Sequence, residues 1–132
     1  MVAQSEKFTE AIVSLYYLIS SADGKISDFE KRICQLMMKS EGIEVSEFEM
    51  IINSIDGLSQ DQIYAKSIDL LKSCTKEEQV KALAWMRSIA NSDGFMAKEE
   101  WSLIFKIYKK ELSLNLKEII DYKLPLFINL PG

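Results

Sequence analysis

The chain has 132 residues, 48% apolar and 27% charged, with a formal charge of −4 and no histidine. Its length fits one domain with its own core, and its acidic balance argues against non-specific binding to nucleic acid or anionic membrane. The missing histidine excludes a Ser–His–Asp or Cys–His relay, His-ligated zinc and imidazole proton shuttling.

Five glycines and two prolines suit long helices better than a strand-rich sandwich. The N-terminus, Met1-Val-Ala-Gln-Ser-Glu-Lys, shows no basic flank followed by an apolar stretch, so no signal peptide is expected. Nor does any apolar run approach the ~20 residues of a membrane span. Cys34 and Cys74 sit in helical patterns and read as buried reduced thiols, with a cytoplasmic location.

Helix boundaries follow from local chemistry. Ser/Thr-x-x-Glu/Gln lets an N-cap hydroxyl and the N3 side chain satisfy each other's orphan amides. It occurs at Ser27…Glu30, Ser46…Glu49, Ser59…Gln62 and Thr75…Glu78. Gly24, Gly42, Gly57 and Gly94 fall where helices should end in a left-handed residue.

Seven helices are predicted in a single all-α domain spanning 1–132. The first runs from about Ser5 to Ala22, with Phe8, Ile12, Leu15, Leu18 and Ile19 on one face. The second, Asp28–Glu41, is expected to bury Phe29, Ile33, Leu36 and Met37. A short third spans Glu47–Ile55, with Phe48, Ile51, Ile52 and Ile55 apolar. The fourth, Gln60–Ser73, offers Tyr64, Ile68 and Leu71. The fifth, Lys76–Ser92, is apolar nearly all round between Ala82 and Met86, which predicts a place at the centre of the core. The sixth covers Lys98–Glu111, with Trp101, Ile104, Ile107 and Tyr108. The last is Leu116–Leu124, stopped by Pro125.

A shift of 70 residues lays Ser-Ala-Asp23-Gly24-Lys-Ile26-Ser-Asp-Phe-Glu30 over Asn-Ser-Asp93-Gly94-Phe-Met96-Ala-Lys-Glu-Glu100. Each copy reads as helix, Asp-Gly turn, helix. Helical side chains tilt toward the N-terminus, so Glu30 should lean toward Asp23 and Glu100 toward Asp93. Halves packed with approximate two-fold symmetry would bring four carboxylates together, and these repel unless a cation or protons neutralise them. Each motif also has an explanation without a ligand. Asp-Gly is good turn chemistry, and Glu30 is accounted for by its box with Ser27. Glu100 lacks that partner, since Ala97 stands where Ser27 does.

Asp-Gly-x-Ile-x-x-x-Glu is also the second half of an EF-hand loop. Counting back from each glycine puts Ile19 and Ile89 at the first ligand position, which leaves too few oxygens for a working EF-hand pair. Two copies of Ala/Ser-Asp-Gly-x-Ile/Met-x-x-x-Glu, about 70 residues apart among seven helices, resemble instead the tellurite-resistance TerB-like family. Its relatives include the N-terminal domain of a membrane-anchored DnaJ-type co-chaperone. The resemblance covers roughly Phe8 to Leu124. It implies an all-helical domain whose paired acidic motifs bind divalent metal, linked to stress responses and membrane-associated complexes. Carried over residue by residue, it reaches Asp23 and Glu30 in the first motif and Asp93 and Glu100 in the second.

The expectation is therefore a non-catalytic binding or scaffold module holding Ca²⁺ or Mg²⁺ through its Asp-Gly loops. A protein partner is expected, with no nucleic acid and no membrane insertion. The rival is a purely structural interaction domain, its surface an apolar patch such as the tail Leu124-Pro-Leu-Phe-Ile-Asn-Leu-Pro. A carboxylate-based hydrolase would need a deep pocket and a substrate-positioning group, and the sequence points to neither.

Overall fold

Two of the predicted capping boxes close as drawn. Ser59 Oγ accepts from the Gln62 N–H at 3.1 Å while Gln62 Oε1 accepts from the Ser59 N–H at 2.9 Å. Thr75 and Glu78 repeat the arrangement at 3.1 and 2.9 Å. A third box, Asn115 with Glu118, opens the last helix, since asparagine caps as well as serine does. The computed structural model describes residues 6–20, 28–91, 98–122 and 124. Within them lie α1 (Glu6–Ser20), α2 (Asp28–Glu41), α3 (Val45–Ile55), α4 (Gln60–Lys72), α5 (Lys76–Ala90), α6 (Lys98–Phe105) and α7 (Leu116–Asp121). No strand occurs among the described residues. Ser27, Gly24 and Gly94, and the caps expected there, lie outside them.

Gly42 ends α2 as predicted, at φ +72°. The Ile43 N–H reaches the Met38 carbonyl at 2.8 Å and the Gly42 N–H the Lys39 carbonyl at 3.4 Å. This pair of bonds is the Schellman arrangement. The expected box at Ser46 does not form. Helix α3 starts two residues earlier, at Val45, with Glu44 in the cap position and no side-chain cap bond. The tight exit from α2 delivers the chain directly into the new helix, so Ser46 already lies inside it.

Helices α1 and α5 form the centre. Leu83, Trp85, Met86 and Ile89 of α5 are fully buried, as the apolar stretch predicted. Helix α1 is buried more completely than its one-sided pattern suggested, with Ala11, Val13 and Ser14 enclosed beside Phe8, Ile12, Leu15 and Ile19. It packs on α2, α3, α4, α5 and α6, so it has almost no solvent side. Each large side chain in this layer contributes about 1.5–3 kcal/mol on burial. A small satellite cluster of Leu18, Ile55 and Ile63 pins α3 and α4 to α1.

The second helix is rotated from its predicted orientation. Phe29, expected inside, is 52% exposed, while Ile33 and Leu36 are only half-buried. The buried line runs through Glu30, Cys34 and Met37 and continues to the Glu41 carboxylate, whose side chain is 3% exposed. That carboxylate explains the rotation. Its Oε2 accepts from Trp85 Nε1–H at 2.8 Å, and its Oε1 lies 2.6 Å from Lys81 Nζ. Lys81 also stands 5.2 Å above the Phe8 ring. One polar group thus ties α2 to α5 and α1.

The sixth helix is not uniform. After Phe105 it widens into a π-helical segment, Lys106–Glu111, of the kind that appears as a bulge within α-helices. Ile104, Ile107 and Tyr108 face the core as predicted, but Trp101 is 37% exposed. Tyr64 fastens the segment: its hydroxyl donates to Glu111 Oε2 at 2.8 Å, and Lys106 Nζ lies 4.6 Å from its ring. Leu124 is buried, and the remainder of the apolar tail lies outside the described residues.

Candidate functional site

The glutamates of the two acidic motifs occupy the same place in their helices. Glu30 is the third residue of α2 and Glu100 the third of α6. Both are buried, at 6% and 2% exposure. Carboxylates are seldom so enclosed, although the positive end of the helix dipole favours them in a first turn. Helices α2 and α6 each pack on both α1 and α5, so both glutamates start helices that lean on one central pair. Asp23 and Asp93 lie outside the described residues.

The surroundings of Glu30 are partly polar. Tyr16 of α1 and Cys34 of α2 hydrogen-bond to each other. Burial pushes the Tyr16 phenol up to about 12, with further increments from Cys34 and from the nearby Glu30 carboxylate. Burial likewise raises the Cys34 thiol from 9.0 to about 12, the bond to Tyr16 acting against it. The positions seventy residues beyond Tyr16 and Cys34 are Met86 and Ile104, both apolar and buried.

Cys34 fits the expected buried, reduced thiol, whereas Cys74 is half-buried, its Sγ 3.3 Å from the Leu70 carbonyl. A thiol protonated to about 12 is a poor nucleophile at neutral pH.

The raised values make stability pH-dependent. Both groups keep their protons longer in the fold than in the unfolded chain, so their contribution is complete below pH 9. It is lost as pH rises from 9.0 toward 12 for Cys34 and from 10.0 toward 12 for Tyr16. Each group costs up to about 1.4 kcal/mol per pH unit within its window. The urea midpoint should therefore fall between pH 9 and 10.5, and Cys34→Ala should flatten that fall. An unchanged slope in the variant would show that the thiol titrates freely.

A Ca²⁺ or Mg²⁺ site needs hard oxygen donors, and Glu30 and Glu100 are of that chemistry. Among the described residues no group of three or more Asp, Glu, Cys or His side chains comes together. The sequence pattern missed two features, the Tyr16–Cys34 pair and the Glu41 junction. Glu30, Cys34, Met37 and Glu41 recur at helical spacing, but counting only apolar residues assigns the carboxylates to solvent.

No helix among the described residues is long and apolar enough to cross a membrane. A family model described as tellurite resistance protein TerB matches residues 9–124. No curated protein and no solved structure matches the chain.

Proposed function

The chain belongs to the tellurite resistance protein TerB family, and on that premise we propose that it is a non-catalytic, cytoplasmic binding module. It takes up a divalent cation through two acidic Asp-Gly loops and serves a protein assembly in a stress response. The observation that carries this reading is the shared placement of two buried glutamates. Glu30 and Glu100 stand at the third position of their helices, each seven residues after the aspartate of an Asp-Gly pair. In this reading the two units are related by a pseudo-two-fold axis. Asp23 with Glu30 and Asp93 with Glu100 supply the ligands, and Ca²⁺ and Mg²⁺ are the candidate ions.

The first-turn position of both glutamates also favours the structural rival, in which they serve the helix starts. A melting experiment separates the two. A cation bound only by the folded state stabilises it by about 2.7 kcal/mol at a hundredfold excess over Kd. For a domain of this length that raises Tm by roughly 8–13 °C. Millimolar Ca²⁺ or Mg²⁺ should produce such a rise if the affinity is near ten micromolar. The double variant Asp23→Asn, Asp93→Asn keeps turn-compatible residues and should lose the response while keeping its helicity. If wild type and variant respond alike, the motifs are turns and caps.

A further inference from the structure

Helix α3 lays Phe48, Ile51 and Ile52 half-buried against the core but carries further apolar residues at its surface. Of its residues Val45–Ile55 only Ile55 is buried, while Val45 is 64% and Met50 72% exposed. Between α3 and α1 runs a groove of about 270 Å³ lined by Glu6, Glu10, Glu47, Met50, Ile51 and Ser54. Met50 and Ile51 give it apolar surface, and Glu6, Glu10 and Glu47 give it carboxylates. The charge extends well beyond the groove. From Ser40 to Ala65 the sequence holds no basic residue and, besides Glu41, which is buried against Lys81, the five acidic residues Glu44, Glu47, Glu49, Asp56 and Asp61, in a chain whose whole net charge is −4. Lys66, the next cation along the chain, lies 3.6 Å from Glu10 at the edge of this region.

We infer that this face docks a basic amphipathic segment of a partner protein. Apolar side chains of that segment would enter beside Met50 and Ile51, and its lysines or arginines would face Glu6, Glu10 and Glu47. The unbranched, polarizable side chain of methionine adapts to different inserted groups, which suits a helix-in-groove contact. The carboxylates supply orientation and fast encounter with a cationic partner. Charge also decides against other occupants. A second copy would set these carboxylates against their own equivalents, and anionic lipid or nucleic acid would be repelled. The inference rests on the domain being a binding module and is independent of the Asp-Gly loops, so a missing metal response leaves it intact.

The probe is a fluorescent peptide of leucine and lysine with leucines at i, i+3, i+4 and i+7. Anisotropy should show binding that weakens with salt, and amide shift changes should concentrate in residues 6–10 and 45–54. Glu47→Lys and Met50→Ser each replace an exposed side chain and should weaken binding roughly tenfold, whereas Glu99→Lys on α6 should stay within about twofold. Circular dichroism confirms that each variant keeps its helices. Equal weakening by Glu99→Lys would reduce the effect to diffuse acidity and overturn the proposal. So would shift changes mapping elsewhere, or binding unaffected by Met50→Ser. A dimer that Met50→Ser dissociates, or phosphatidylglycerol vesicles held through Met50, would assign the face to another occupant and overturn it as well.

Discussion

Leu83→Ala is expected to destabilise the protein by about 2–5 kcal/mol, the range for truncating a fully buried leucine. Leu83 has no solvent exposure, and its helix packs on α1, α2, α4, α6 and α7. Removing its side chain therefore opens a cavity that no single neighbour can close. Part of the loss is transfer free energy, and the rest depends on how far the surrounding helices relax. At roughly 3–5 °C per kcal/mol for a chain of this length, Tm should fall by at least about 6 °C. Urea unfolding measures the loss directly. A value under about 1 kcal/mol would mean that α5 is not the element on which the others rest.

The second large effect is expected at Glu41. Glu41→Ala removes the acceptor of the Trp85 indole N–H and the counter-charge of Lys81 together. Breaking a fully buried pair costs about 3–5 kcal/mol. The Lys81 side chain keeps 27% exposure and can still reach water, so a loss of about 2–4 kcal/mol is the discounted expectation. Lys81→Met should also destabilise, because it leaves the Glu41 carboxylate enclosed with the indole as its only other partner in this junction. The decisive quantity is the coupling in the double variant. It should exceed about 1 kcal/mol, as it does for groups sharing one network. Additive losses would show that the two side chains act separately and that the junction does not hold α2 in its orientation.

These two sites differ in how far the sequence announces them. Leu83 lies in an unbroken apolar stretch, so its burial follows from composition and helical period. Glu41 looks like a solvent-facing residue at the end of an amphipathic helix. Its partners Trp85 and Lys81 are 44 and 40 residues away, a separation at which local pattern is silent. The same holds for Phe29 and Trp101, large apolar residues beside the motif glutamates and both exposed. Treating every apolar residue as inward puts these rings inside. The burial of Glu30 and Glu100 puts them at the surface, because residues adjacent along a helix point about 100° apart.

By itself the sequence determined the all-α class, the starts of α4 and α5, the stop at Gly42 and the central place of α5. Each rests on interactions within a few residues: reciprocal cap bonds, a left-handed glycine, or an apolar stretch with no polar side to show. The acidic motifs likewise sufficed to suggest the family that the chain belongs to. Only the tertiary structure decided which face of α2 turns inward, that α3 carries apolar residues at its surface, that the two glutamates are enclosed, and that α6 widens into a π-helical segment. The physical reason is that caps and turns are settled by neighbours in sequence. A helix's rotation is settled instead by whichever contacts its whole surface can satisfy, including a carboxylate that finds its indole and ammonium partners on another helix.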